Sequence, residues 1–514
     1  MYRIICLLFI CAVSHFAFGQ NLSDYSVKGD VSFAKNDFQA AFDYYSKAID
    51  TNSSDKVALA RIYYKRSKCD QALQHYGNAL FDLNAAISLD PKFRDAYTER
   101  GVLYQNKYFY YRKSARDYQL AIQLTDTKDR HMLATLYTNF ANDAVSYGKA
   151  DSAIHLDSIA LQYSPFYYST YYSFFEINIG QKNYAEAVKN INSTIEYGSH
   201  NLTKEQLLLL YRERADAKRL NKDYKGAIND YSLVLKVNPD DGDAYWNRGA
   251  AYYMHSDYEL AVNDYTKAIN YFQNNDHKIH LLYIDRAVSE IGENKPDLAI
   301  KDANEAIRLF NQYGPAYIAL GNAYLMKGDF KKSADKFIIG EKYMFGNAPT
   351  SHAYSSIAKT EYFLNKYNKT ILYADTAFDW DTTNCESYFY RAKTYWNKLN
   401  KKDAAIENFN KVLALDTTKS SDCYIFSQYY LGKADKAVEI LQDKILKTND
   451  DSQLRDDYYQ LACLYSLMNK PDDSNNNLKI AIDKGYAKKY AAADEDLNNI
   501  RNTADYKSII GDDK

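Results

Sequence analysis

Small and aromatic residues return along most of the chain at intervals of three and four, the spacing of one face of a helix. Tyr245, Gly249 and Tyr252 fall at i, i+4 and i+7, and Ala261, Tyr265 and Ala268 draw the same stripe on a second segment. Between the two stripes lies a short polar turn closed by an aromatic, His255-Ser256-Asp257-Tyr258. Lys35-Asn36-Asp37-Phe38, Asn221-Lys222-Asp223-Tyr224 and Lys327-Gly328-Asp329-Phe330 have the same form. Asn and Gly tolerate the left-handed backbone that ends a helix, and Asp caps the next one. Asp90-Pro91, Ser164-Pro165 and Asn238-Pro239 place proline where a second helix must stop. The building block is therefore helix, turn, helix.

The block recurs. Ala215 and Gly249, Ala287 and Gly321, and Ala358 and Ala392 are each 34 residues apart, as are Tyr211 and Tyr245, Tyr283 and Tyr317, and Tyr354 and Tyr388. Ala227-Ile228-Asn229-Asp230-Tyr231 returns as Ala261-Val262-Asn263-Asp264-Tyr265. Such a period marks a repeat architecture. Gly249, Ala261 and Ala268 lack bulk where helices cross, and Tyr245, Tyr252, Tyr258 and Tyr265 fill the space around the crossings. This arrangement resembles the tetratricopeptide repeat, in about thirteen units from residue 22 to about residue 486. The resemblance implies an all-α, right-handed α-solenoid of helix-turn-helix units with a C-terminal capping segment.

Three departures stand out. Two extra residues sit around Tyr108–Tyr111, and a longer connection runs from Gln273 to His280. Only 16 residues separate Leu415 from Gly432, too few for a full first helix and linker. The expected organisation is an array over 22–415, its continuation over 416–486, and a cap and tail over 487–514. In the cap, Leu497 and Ile500 are spaced to cover the end of the last helix pair, with a polar face outward.

Residues 1–19 break the pattern. Arg3, the apolar run Ile4 to Val13 and the small residues of Ala17-Phe18-Gly19 predict a secretory signal peptide with a mature start at Gln20. No later stretch has 18 uninterrupted apolar residues, so no stable membrane insertion is expected after cleavage. The expected location is periplasmic or extracellular. Cys69, Cys385, Cys423 and Cys463 remain in the mature chain and read as small hydrophobes on helix faces.

Composition narrows the function. The chain has 514 residues but only 7 Pro and 19 Gly, so it lacks Pro-rich linkers and glycine-rich phosphate loops, while Tyr reaches 52. Lys and Arg (64) balance Asp and Glu (66), which gives no reason to expect a nucleic-acid partner. No metalloprotease, nucleophile-elbow, Walker or dinucleotide motif is present, so neither an enzyme nor a cofactor is expected. His277 and His280 read as solvated loop residues, and Asp240-Asp241-Gly242-Asp243 as a helix N-cap rather than a calcium loop. Asp450-Asp451, Asp456-Asp457 and Asp472-Asp473 read as charge at helix starts.

The resemblance implies that first helices line a concave surface through the first, second, fifth and eighth positions after the leading aromatic. Those positions are Arg212, Glu213, Asp216 and Arg219 in one unit, and Trp246, Asn247, Ala250 and Tyr253 in the next. In a later unit they are Phe389, Tyr390, Lys393 and Trp396. The Lys–Asn pair that tetratricopeptide co-chaperones use to grip a C-terminal carboxylate is absent; the equivalent pairs include Arg212 with Asp216 and Ser355 with Lys359. The expected role is an exported scaffold that binds protein or peptide partners in this groove. The alternative is a cell-envelope glycan-binding protein that stacks sugars on the exposed aromatics.

Overall fold

The computed structural model describes residues 22–51, 53–272, 278–343 and 351–511. The expected export signal, His277 and most of the long connection from Gln273 lie outside them. Among the described residues there are helices and turns and no strand, and no helix is long and apolar enough to cross a membrane. The chain divides into two compact units, Met1–Asp230 and Tyr231–Lys514, with the boundary inside the helix Tyr224–Val237.

Each unit is a stack of helix pairs, such as Lys56–Ala72 with Tyr76–Leu89 in the first and Gly242–Met254 with Tyr258–Phe272 in the second. The turns are built as the sequence predicts. Asn36, Lys222, Ser256 and Gly328 all take positive φ, between 60° and 70°. The aspartates that follow accept from the next helix at Asp37 and Asp223, with 3.1 Å to the Ala40 amide and 3.0 Å to the Gly226 amide. Gly249 is a close-approach site, since a Cβ there would lie 2.9 Å from the ring of Tyr265. Asp241 caps its helix through the Ala244 amide at 2.9 Å.

A ladder of buried ion pairs runs through both stacks. Three residues after the leading tyrosine, Arg66, Arg100, Arg214, Arg248 and Arg286 each fork onto a carboxylate of the second helix: Asp82, Asp117, Asp230, Asp264 and Asp302. The aspartate side chains are 2% to 5% exposed. The remaining nitrogen of each arginine reaches the preceding pair, at Ser46, Asn84, Asn192, Ser232 and Thr266. Arg391 repeats the scheme with Asn408 and Asp375. A fork of this kind fixes geometry in a way that packing alone does not.

The irregular places have specific solutions. The extra residues near Tyr108 form a π-helical turn, Tyr104–Tyr108, after which Phe109 takes φ 55° and lets the next helix begin in register. The short first helix is Asp422–Tyr430, and the six residues before it fold around the Asp416 carboxylate, which accepts from the Thr418 and Lys419 amides and the Ser421 hydroxyl. One apolar core runs from Tyr362 to Tyr506 across this stretch. Asp456 and Asp457 do not stand at a helix start: they lie inside Asp451–Leu467, where Asp456 pairs with Arg455 and Asp457 with Lys444, each at 2.7 Å. The partners on neighbouring turns, invisible in the dipeptide itself, explain the difference. The four cysteines are free thiols, with Cys69 and Cys463 buried.

Candidate ligand-binding surfaces of the first helices

In the first unit, Arg212, Glu213 and Asp216 lie half-buried on the helix Lys204–Leu220. Glu213 accepts from the Tyr172 hydroxyl at 2.9 Å, and burial pushes its carboxyl up while that bond pulls it down. Asp216 faces the Arg219 guanidinium at 3.5 Å.

In the second unit, Trp246, Asn247 and Tyr253 lie half-buried on Gly242–Met254. The Trp246 indole N–H donates to Asp285 on the next first helix at 2.7 Å. Burial raises the Asp285 carboxyl to about 6, against the pull of that bond. Tyr253 packs tilted against Tyr258 at 5.7 Å. Arg212 and Glu213 therefore belong to one compact unit and Trp246 and Tyr253 to the other.

Phe389, Tyr390 and Lys393 line a cavity of about 400 Å³ in the second unit. Its walls come from the helices Ser351–Phe363, Cys385–Asn397, Asp422–Tyr430 and Asp451–Leu467, closed by the stretch 486–496. That stretch does more than cover the last pair. Leu497 and Ile500 are buried as expected, but Tyr490 also packs on Phe330 and Phe363 at 5.6 and 4.8 Å. Asp496 meets Lys393 at 2.7 Å, 103 positions away in sequence. Phe389, Tyr390 and Lys393 are thus 6%, 8% and 3% exposed. Burial alone would discharge Lys393; the Asp496 carboxylate holds it protonated. Trp396 points elsewhere, edge-on to Tyr430 at 5.7 Å with the Lys402 ammonium 3.6 Å over its ring.

Several cavity residues escaped the sequence reading, among them Asp422, Arg455, Asp456 and Tyr490. Lys359 carried a signal, since it holds the fifth position after Tyr354. Asp422 lies in the shortened unit and Tyr490 beyond the array, while Arg455 and Asp456 stand on the full first helix Asp451–Leu467 at positions the rule does not count.

Family models for the TPR repeat match residues 215–256, and for the tetratricopeptide repeat residues 60–93. Over 206 residues the chain is 27% identical to the DnaJ protein P58IPK homolog of Arabidopsis thaliana, covering 40% of this chain and 35% of the relative. Over 79 residues it is 34% identical to the Protein SGT1 homolog of Oryza sativa, covering 15% of this chain and 20% of the relative. The chain thus spans about a third or less of the length of these relatives. A tetratricopeptide repeat protein of known structure from Parabacteroides merdae aligns with 52% of this chain and 98% of its own, at 15% identity and a TM-score of 0.43. With the matched segments and the helix pairs in agreement, the chain is an all-α array that carries tetratricopeptide repeats.

Proposed function

We propose that the protein is an exported scaffold that binds protein or peptide partners through the first helices of its repeats. The observation that carries this reading is a contrast between positions. Repeating positions of the second helices are consumed by stacking: Ala227, Tyr231, Ala261 and Tyr265 are buried at 0% to 2% exposure. Positions that do not repeat, Arg212, Glu213 and Asp216 in one unit and Trp246, Asn247 and Tyr253 in the other, stay half-buried on first helices with polar ends. Repeat arrays use such surfaces to hold extended or helical segments.

Affinity capture from envelope extract, followed by mass spectrometry, tests the reading. Recovery of specific proteins whose retention falls with Arg212→Ala or Trp246→Ala supports it. Trp246→Ala is read together with its melting temperature, because loss of the Asp285 bond lowers stability whether or not a partner is touched. Retention on purified polysaccharide without protein capture would support the glycan-binding alternative instead. Mass determination of the native N-terminus tests export: a start at Gln20 supports it, and a retained Met1 overturns it.

A further inference from the structure

The cavity of the second unit is lined by Lys359, Lys393 and Arg455 against Glu386, Asp422, Asp456, Asp494 and Asp496. Its cations are already matched: Lys359 with Glu386 at 3.6 Å, Arg455 with Asp456 at 2.7 Å and Lys393 with Asp496 at 2.7 Å. Asp494 accepts from the Tyr459 hydroxyl at 2.8 Å and the Asp496 amide at 3.1 Å. Asp422 has less. Its carboxylate takes one bond from the Gln460 amide at 2.9 Å and stands open to the cavity. Lys444, the other ammonium near it, is engaged with Asp457. Asp496, 5% exposed, is already held by Lys393 through Oδ2, and its buried Oδ1 has no hydrogen-bond partner.

The walls suit a cation as well as the charges do. Phe389, Tyr390, Phe426, Tyr486 and Tyr490 contribute aromatic surface, and the chain already rests its own ammonium groups on such faces. Lys359 lies 5.7 Å from the Tyr390 ring centre, and Lys393 lies 5.8 Å from that of Phe389. Aromatic faces attract cations most strongly where water is excluded. Among the described residues no group of three His, Cys, Asp or Glu could hold a metal ion. A volume of about 400 Å³ falls in the range of small-ligand sites.

We infer that this cavity binds an organic cation, an amine or guanidinium group held by the Asp422 carboxylate against the aromatic walls. The inference does not depend on the scaffold reading, because a free small molecule and a basic side chain of a peptide present the same group.

The test is calorimetric titration of the mature protein with L-argininamide, its isostere L-citrullinamide, and the peptide Ala-Ala-Arg-Ala-Ala acetylated and amidated at its ends. The first two are acetylated on the α-nitrogen, so that L-argininamide carries only the guanidinium charge and L-citrullinamide none. L-argininamide should bind, with L-citrullinamide weaker by about tenfold or more, and Asp422→Asn should weaken L-argininamide by a similar factor. Met326 also lines the cavity, so Met326→Lys should abolish binding by supplying a tethered ammonium, which keeps the test alive if the Asp422 variant does not fold. Peptide binding that matches L-argininamide assigns the cation to a polypeptide; binding of L-argininamide alone assigns it to a small molecule. Equal affinity for L-citrullinamide, no binding of either cation at millimolar concentration, or a folded Asp422→Asn variant with unchanged affinity overturns the inference.

Discussion

Replacing Arg248 by Met should open the array locally at one rung of the ion-pair ladder. Arg248 donates to both oxygens of Asp264, at 2.7 and 2.9 Å, and to the Ser232 hydroxyl at 2.9 Å. The Asp264 side chain is 4% exposed, so water cannot replace the lost donors without a distortion of the helix pair. Breaking one side of a buried pair costs about 3–5 kcal/mol, whereas replacing both sides by apolar groups is often neutral. Arg248→Met alone should therefore be strongly destabilising, and Arg248→Met with Asp264→Leu should recover most of the loss. Each repeat is held chiefly by its neighbours, so a global melting curve would dilute the effect. Hydrogen exchange resolves it, through the opening free energies of amides in Gly242–Met254 and Tyr258–Phe272. If the double variant were no more protected than the single one, the loss would come from packing on Tyr245 and Tyr252 and not from the stranded carboxylate.

Three further outcomes follow from the packing and the buried charges. Gly249→Leu drives side-chain atoms into the Tyr265 ring and should cost about 1–3 kcal/mol, read as lost exchange protection over the same two helices; unchanged protection would refute the proposed crossing point. Asp157 is fully buried, with burial raising its carboxyl to about 8 against one bond from Ser173. A folded pKa above the unfolded value of about 4 means stability present at low pH and lost as pH rises toward 8. Asp157→Asn should accordingly flatten the decline in melting temperature between about pH 5 and pH 8, and equal slopes in both proteins would refute the buried-carboxyl account. Lys393→Met leaves Asp496 without its cation and should release the 486–496 stretch, seen as new limited-proteolysis cuts there at a melting temperature lowered by several degrees; an unchanged digest would show that Tyr490 and Lys398 hold the segment unaided.

The local chemistry of the fold was legible because it is written once per unit. Turn residues, small crossing residues and the tyrosines around them recur every 34 positions, and the structure uses them as that recurrence suggests. The arginine ladder recurs in only some units, and the burial of Arg248 and Asp264 cannot be seen in a residue type. Phe389, Tyr390 and Lys393 were placed on the inner side of their helix, and they do line a cavity. What hid its enclosure was distance: Asp496 closes it from 103 residues away, and a period reports only neighbours. Trp396 shows the limit of positional rules. Its ring has Phe409, Tyr430 and the Lys402 stem within reach, and that local competition decides its direction.

The ladder also governs which changes of length the protein can survive. Each arginine extends one nitrogen to the preceding pair, and the acceptors it meets there, Ser46, Asn84, Asn192, Ser232, Thr266 and Asp375, all offer a side-chain oxygen. Where a unit carries this arginine its junction is thus generic, and excising or duplicating such a unit regenerates a working joint from parts already present. The stretch from Lys393 to Asp496 is the opposite case, because the two ends of an ion pair measure the span between them. Duplication can lengthen the array ahead of Phe330, which Tyr490 contacts, while the segment behind it behaves as a cassette of fixed size that is inherited whole or not at all.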